Sequence, residues 1–104
     1  MQRGEVWWAR LPGPAGFRPV VLLTRNSAYA NRTHATVAPV TRSGRPIRSH
    51  VPIGPEDGVP QLSVINLDDI QTMPTSQILR RIAMLSDERM AEVDRAIKFA
   101  LDLK

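Results

Sequence analysis

Short apolar runs separated by turn residues make up most of this chain. Runs rich in β-branched and aromatic residues recur at a spacing of about ten residues, with Gly/Pro-rich segments between them. Such a pattern is typical of a small barrel or sandwich of short strands. Residues 26–31 lack the alternation of a strand and predict a short helical turn. The predicted strands are residues 5–11, 18–24, 35–40, 50–53, 63–67, 70–73 and 81–85.

The pattern changes after Pro74, since the last 30 residues contain neither proline nor glycine. Met90, Val93, Ile97 and either Ala100 or Leu101 recur there at the spacing of one helical face. Ser86 is a suitable N-cap, and the two acidic residues that follow it place negative charge in the first turn. The sequence therefore predicts a C-terminal α-helix whose apolar stripe packs against the strands.

The length of 104 residues suits one domain, and we expect residues 1–104 to form a single unit. No apolar run is long enough to span a membrane and no basic-then-apolar leader opens the chain, so we expect a cytoplasmic protein. Cysteine is absent, which excludes disulfides and thiolate chemistry, and two histidines are too few for a histidine metal cage. Because there is also no glycine-rich phosphate loop, the sequence predicts neither a cofactor nor a metal.

Positive charge is concentrated in the first half of the chain. Residues 1–55 contain eight arginines and a single acid, Glu5, whereas residues 56–104 contain six basic and nine acidic residues. Arginine outnumbers lysine by 12 to 2, and its planar guanidinium binds phosphate in bidentate fashion and stacks on bases. This asymmetry predicts a polyanionic partner on the N-terminal half.

Arg18 stands at the start of an apolar strand, where a charged side chain needs a partner. A Gly/Pro-rich bend over residues 11–16 precedes it, so we expect the guanidinium to reach a cleft instead of the core. An arginine there stays charged and presents a donor fork that matches phosphate oxygens. The alternative is an ordinary solvated arginine at a strand edge.

A second candidate group begins where an apolar strand ends, at Thr41. The Thr41 hydroxyl can donate to a phosphoryl oxygen, and a strand-end or turn role is the alternative. The loop that follows contains Arg42, Ser43, Arg45 and Arg48. Basic loops of this kind bind phosphate backbones, although an exposed basic loop is often simply solvated.

The third group consists of polar residues that punctuate apolar ones: Ser63, Asn66, Asp68 and Gln71. We expect several of them to line one cleft, because amides read base edges and Asp68 can accept from a base or orient Arg18. A turn formed by Asp68 and its neighbour is the alternative.

Any catalysis in this chain has to rely on arginines, hydroxyls, amides and at most one carboxylate. Cleavage of an RNA phosphodiester fits that inventory, because the substrate brings its own nucleophile, the 2′-hydroxyl. The protein then has to align that hydroxyl, stabilise the developing charge and assist proton transfer.

Several segments together resemble one known family. They are RGEVWW at residues 3–8, RPVVL at 18–22, VAPVT at 37–41, VPIGPEDG at 51–58 and SVINLD at 63–68. In this order, and with the C-terminal helix, they are similar to the MazF/PemK family of toxin endoribonucleases. The resemblance extends over essentially the whole chain.

This resemblance implies a mainly β fold with a C-terminal α-helix, the SH3-like small barrel of the MazF, CcdB and Kid toxins. It implies a homodimeric toxin of a type II toxin–antitoxin system that cleaves single-stranded RNA at short sequences without a metal. The expected products carry a 2′,3′-cyclic phosphate and a 5′-hydroxyl, and their formation inhibits translation and growth. The expected antitoxin has an acidic C-terminal segment that folds along the basic surface.

The catalytic arginine of the family and its threonine or serine fall on Arg18 and Thr41. Members with an Arg-Cys-Asp motif in the fifth strand use its arginine and aspartate, and the matching positions here are Asn66 and Asp68. Because Asn66 supplies neither a cation nor an acid, Arg18 has to carry more of the catalysis. The expected RNA-binding residues are Phe17, Arg42, Ser43, Arg45, Arg48, Ser63, Asn66, Asp68 and Gln71.

Two other classes of protein stay open from the sequence: a non-catalytic SH3-like module that binds RNA or protein, and a gyrase poison on the related barrel.

Trp7 and Trp8 are adjacent in a predicted strand, so their side chains face opposite sides of the sheet. We expect one of them in the core and the other under the helix or at a subunit interface, in preference to a stacking platform for a base.

Overall fold

The computed structural model describes residues 1–42 and 45–104, so Ser43 of the predicted RNA-binding set lies outside the described residues. Within them, seven strands and one α-helix follow one another, joined by loops and short 3₁₀ turns. The elements are β1 (Glu5–Arg10), β2 (Phe17–Leu22), β3 (His34–Thr41), β4 (His50–Ile53), β5 (Ser63–Asn66), β6 (Gln71–Pro74), β7 (Ile78–Met84) and α1 (Asp87–Ala100).

All strand pairs are antiparallel, in the order β4-β5-β3-β2-β1-β7, and β6 also pairs with β3. β3 connects the parts of the sheet, because its beginning pairs with β6, its middle with β2 and its end with β5. The expected mainly β fold with a C-terminal helix is confirmed. In the described part of the chain the sheet is not closed, since β4 and β7 are its two edges.

Predicted and observed strands agree in number and order. β4 has the predicted bounds, whereas β7 begins at Ile78, three residues before its predicted start. The sequence pattern does not show where β7 begins, because the pairing of β7 with β1 shifts register twice. The shifts lie between Val6 and Trp7 and between Trp8 and Ala9. Such bulges break the period of two on which strand prediction depends.

Two clusters of buried side chains fill the molecule. The first combines sheet residues such as Val21 and Ile65 with Val93 of α1. The second contains Val20 and Val37 and lies against the opposite face of β2. Because the consecutive residues Val20 and Val21 are both fully buried, β2 is covered on both faces, and its first residues emerge from a firmly packed strand.

The predicted N-cap of α1 is confirmed, because Ser86 Oγ accepts a hydrogen bond from the backbone nitrogen of Arg89 at 3.1 Å. The helix buries Val93 and packs Ile97 against the first cluster. Of the two residues predicted to end the apolar stripe, Ala100 packs against the first cluster, whereas Leu101 lies beyond the end of α1 and is 54% exposed. Among the described residues, no helix is both long and apolar enough to cross a bilayer.

Ion pairs connect α1 to the β4–β5 loop. Arg89 Nε lies 3.0 Å from Asp57 Oδ1, and Arg89 Nη1 lies 2.9 Å from Glu92 Oε2. The hydrogen bond to Asp57 raises the pKa of Arg89 above its ordinary value, with a further contribution from Glu92. Asp57 also accepts from the backbone nitrogen of Gly54 at 2.9 Å, so one carboxylate orders both the loop and the helix.

Candidate active site

Two clefts share the residues that the sequence predicts to be catalytic. The wide cleft has a volume of about 700 Å³ and the narrow cleft about 310 Å³. Arg18, Thr41 and Ala15 line both, so they form a ridge between the two clefts. The fold thus brings Arg18 and Thr41 to one place from two adjacent strands.

The bend before β2 determines where Arg18 lies. Gly16 has a φ of 61°, in the left-handed region that favours glycine, and its carbonyl accepts from the Leu11 backbone nitrogen at 2.8 Å. Arg18 lies opposite Ala9 of β1, and its Nε donates to the Ala15 carbonyl oxygen at 3.3 Å. No carboxylate of the described residues pairs with Arg18, which lines both clefts.

Thr41 is the last residue of β3 and is half-buried. It lies opposite Val64 of β5, while the middle of the same strand pairs with β2. This crossing from one neighbour to the other places Thr41 between the strand that carries Arg18 and the strand that begins at Ser63.

An aromatic pair lines the wide cleft. The rings of Trp8 and Phe17 are stacked, with 8° between their planes and 6.4 Å between their centroids. The guanidinium of Arg10 lies 5.6 Å from the Phe17 centroid, and Phe17 is 52% exposed. Trp7 packs against the second core cluster, as one tryptophan was expected to do. Trp8 lines the wide cleft instead of packing under α1, so a subunit interface and a stacking platform for a base are the two expectations that stay open for it.

The wide cleft is basic. Arg18 and Arg42 line it, and none of its described lining residues is acidic. Ser63 also lines it at the start of β5, and its Oγ donates to the Gln61 carbonyl oxygen at 2.9 Å. Gln61 is itself a lining residue. Sequence reasoning missed it, because a glutamine in a loop carries no periodic signal.

The narrow cleft contains the polar residues that follow β5. Asn66 and Gln71 line it as predicted residues, together with Asp69. Asp68, expected to accept from a base or to orient Arg18, instead accepts a hydrogen bond at its Oδ2 from Ser49 Oγ at 2.6 Å. Of two successive aspartates, the first therefore binds a buried serine and the second reaches the cleft.

The rest of the basic loop lies apart from both clefts. Arg45 is exposed and lines neither of them. Arg48 turns towards α1, where its guanidinium lies 4.4 Å from the centroid of the Phe99 ring. Among the described arginines of this loop, Arg42 is the one that reaches the wide cleft.

Glu5 is a buried carboxylate that joins the N-terminal segment to two strands. Its Oε1 accepts from Trp7 Nε1 at 3.1 Å and from the Gln2 backbone nitrogen at 2.8 Å, and its Oε2 accepts from Arg81 Nε at 2.7 Å. Burial on its own raises the pKa of Glu5, but the hydrogen bonds from Trp7, Gln2 and Arg81 outweigh it and hold the pKa below its usual value. Glu5 thus stabilises the part of β1 that leads to Trp8.

Comparisons with known proteins agree on a single family. The sequence profile of a family described as PemK-like, MazF-like toxins of type II toxin–antitoxin systems matches residues 2–101. The probable endoribonuclease MazF5 of Mycobacterium tuberculosis is 37% identical over 101 residues, which cover 96% of this chain and 92% of the relative. The probable endoribonuclease MazF2 of the same organism is 36% identical over 99 residues, covering 94% and 95%.

Solved structures with a similar fold include two mycobacterial proteins. Mycobacterium tuberculosis toxin MazF-mt6 matches with a TM-score of 0.89 and 33% identity, over 96% of this chain and 98% of that one. An endoribonuclease in complex with its cognate antitoxin, from a mycobacterial species, also has a TM-score of 0.89, over 100% and 97%. Its identity is 22%, so this second likeness concerns the fold alone.

Proposed function

This chain belongs to the PemK-like, MazF-like toxins of type II toxin–antitoxin systems, and we propose that it cleaves single-stranded RNA at the ridge formed by Arg18 and Thr41. It is a toxin endoribonuclease, as its relatives are named. The observation that carries the proposal is that Arg18 and Thr41 line both clefts. We further propose that residues 1–104 act as one toxin domain in the cytoplasm, where RNA is accessible.

The proposed reaction is a transesterification within the RNA. The 2′-oxygen of the nucleotide before the cut attacks phosphorus, and the bond from phosphorus to the 5′-oxygen breaks, which leaves a 2′,3′-cyclic phosphate and a 5′-hydroxyl. The attacking hydroxyl loses one proton and the leaving oxygen gains one, so the reaction is balanced without water or a metal as a reactant. The protein has to orient the phosphate and stabilise the charge on its oxygens.

Arg18 and Thr41 suit this task because they lie between the wide cleft and the narrow cleft. A phosphate on the ridge lets the nucleotides on its two sides enter one cleft each. The guanidinium of Arg18 binds two phosphoryl oxygens, held in place by its own bond to the Ala15 carbonyl. The Thr41 hydroxyl donates to a further oxygen, which is worth most when the charge on that oxygen is largest.

In the wide cleft we propose that a base stacks on the Trp8–Phe17 pair. Stacking on an exposed aromatic face contributes about 1–3 kcal/mol per base and tolerates any sequence. Arg42 and Ser63 then contact the backbone of the same nucleotide. Arg45 and Arg48 lie outside the wide cleft, so we propose that they attract the approaching RNA through their positive charge and do not contact the nucleotide in the cleft.

We propose that the toxin is a homodimer. β7 is an edge strand, and it exposes Leu79 (49%) and Met84 (42%). Leu101 and Leu103 after α1 are more than half exposed as well. An edge strand with apolar side chains is a ready site for pairing with a second copy. Light scattering at micromolar concentration should return twice the chain mass of 11.6 kDa; an active monomer would contradict this.

The proposed protein partner is an antitoxin with an acidic C-terminal segment. The basic wide cleft suits such a segment as well as it suits RNA, and a similar fold occurs in a complex of an endoribonuclease with its cognate antitoxin. Antitoxin and RNA then compete for Arg18 and Arg42. Titration of an acidic antitoxin peptide into a cleavage reaction should therefore raise KM for RNA.

The test of the proposed function is cleavage of a long, weakly structured RNA with EDTA present, with ends mapped by primer extension. Wild-type protein should cut at a limited set of sites, and Arg18→Ala should not cut. Arg32→Ala removes an equal charge from an exposed loop and should cut like wild type. Absence of cleavage over a wide range of protein concentrations would leave a non-catalytic binding module, and supercoiling inhibition without RNA cuts would indicate a gyrase poison.

A further inference from the structure

The two clefts differ in charge. The wide cleft has no acidic lining residue among those described, whereas Asp69 lines the narrow cleft. A carboxylate repels a phosphate, so the narrow cleft is unsuited to the RNA backbone. Its other walls include Leu11, Pro12 and Pro39. Apolar walls with a polar rim match a nucleobase, which has apolar faces and a hydrogen-bonding edge.

The hydrogen bonds within the narrow cleft determine what its rim offers to a base. Gln71 Nε2 donates to Asp69 Oδ1 at 3.3 Å, which leaves Asp69 Oδ2 and Gln71 Oε1 as acceptors. Asn66 Oδ1 accepts from the Asp68 backbone nitrogen at 2.9 Å, which leaves the Asn66 amide nitrogen as a donor. No hydrogen bond involves these three remaining atoms within the described residues. Each amide nitrogen carries two hydrogens, so Asn66 and Gln71 can both donate to a base. Of these three side chains, Asp69 is the one that can only accept.

We propose that the narrow cleft selects a guanine next to the scissile phosphate and that Asp69 is the residue that determines this specificity. The inference rests on the proposed function, since it concerns the base on one side of the bond that is cut. The Watson–Crick edge of guanine carries two adjacent donors, at N1 and N2, and one acceptor, at O6. It is the one standard base whose edge offers two adjacent donors to a carboxylate such as that of Asp69.

The other bases fit this rim less well. Cytosine and uracil each place two acceptors and a single donor on that edge, so neither offers two donors to the Asp69 carboxylate. Adenine offers a single amino donor beside the N1 acceptor. Bases in single-stranded RNA expose this edge, so a protein can read it directly. A good bidentate contact discriminates between bases by about fivefold to about a hundredfold.

The test uses a pool of RNA with a randomised segment and sequencing of the ends after limited cleavage. Wild-type protein should cut where guanine occupies one fixed position beside the cut. Asp69→Asn exchanges one acceptor for a donor at unchanged size, so it should lose about fivefold to a hundredfold of the guanine preference and gain preference for adenine, which amides pair with in bidentate fashion. A merely structural role of Asp69 would lower the rate without changing the preferred base.

Two variants serve as controls. Asp102→Asn removes the same charge after the end of α1, at a φ of 55° that asparagine tolerates, and should keep both rate and preference. Asp68→Asn alters the aspartate that binds Ser49 and should keep the guanine preference. Cleavage by wild type without guanine at a fixed position, or an unchanged preference in Asp69→Asn, would overturn the inference while the proposed function stands. No cleavage by wild type would overturn the proposed function itself.

Discussion

Replacement of Arg18 by lysine tests the proposed site most sharply, because it keeps the positive charge and removes the planar guanidinium. Arginine has five N–H donors in a fixed plane, whereas lysine has a single nitrogen. In the structure Arg18 Nε donates to the Ala15 carbonyl oxygen at 3.3 Å, and in the proposed mechanism its two terminal nitrogens bind the phosphate. A lysine ammonium carries its three N–H donors on one nitrogen, so it lacks both the planar donor pair for two phosphoryl oxygens and the separate Nε that binds Ala15.

The expected loss of cleavage rate follows from the hydrogen bonds that lysine cannot make. One charge-assisted hydrogen bond is worth about 1.5–3 kcal/mol, and removal of one transition-state donor typically costs about a hundredfold to a thousandfold in rate. Lysine also loses the bond that anchors the side chain at the ridge, so the remaining charge is less well placed. We therefore expect Arg18→Lys to lower the single-turnover cleavage rate by about a hundredfold or more.

The assay is single-turnover cleavage of a short RNA that spans one mapped site, with protein in excess and EDTA present. Arg25→Lys is the matched control, because Arg25 is exposed and lines neither cleft. Thermal unfolding of both variants checks that the fold is kept, since the Ala15 bond is worth about 0.5–1.5 kcal/mol. A rate for Arg18→Lys within about threefold of wild type would remove the guanidinium fork from the mechanism.

Three further predictions concern other parts of the molecule. Thr41→Val should lower the single-turnover rate by about tenfold to a thousandfold and Thr41→Ser much less; equal losses would indicate a packing role. Arg42→Ala should weaken binding to many sequences and flatten the slope of log affinity against log salt by about one unit, as should Arg45→Ala without changing the bases at the cut. Glu5→Gln should lower the free energy of unfolding by about 1–3 kcal/mol. Because the folded pKa of Glu5 is depressed, this difference should be full above about pH 5 and shrink as pH falls below its ordinary pKa; a pH-independent difference in denaturant titrations would contradict that.

Much of the fold follows from the sequence, because local rules and packing agree. The capped start of α1 at Ser86 is explicit in the residue types. The consecutive buried residues Val20 and Val21 mark a strand covered on both faces. The start of β7 does not follow, since it depends on where β1 shifts its register, and Leu101 is exposed because the helix ends before it. The register of β7 depends on contacts between distant segments, whereas the end of α1 has local hydrogen bonds such as that from the Leu101 nitrogen to the Ile97 carbonyl oxygen.

The positions of the candidate site residues follow from the sequence where a residue is tied to a strand end, but not where it lies in a turn. Arg18 and Thr41 lie at the start of β2 and the end of β3, so the strand pattern fixes their positions. The sequence does not distinguish the two adjacent aspartates after β5, of which Asp69 lines the narrow cleft and Asp68 binds Ser49. Arg48 turns away because Phe99 of α1 offers its ring, and that helix is distant in sequence.

The central claim is that the RNA supplies its own nucleophile while Arg18 and Thr41 hold the phosphate between the two clefts. The most direct measurement compares two oligonucleotides around one mapped cut, one all-RNA and one with a single 2′-deoxy nucleotide immediately before the cut. In EDTA, the all-RNA oligonucleotide should yield a 2′,3′-cyclic phosphate and a 5′-hydroxyl, and the 2′-deoxy oligonucleotide should bind with similar affinity and stay intact. Cleavage of the 2′-deoxy oligonucleotide at a comparable rate would contradict the account.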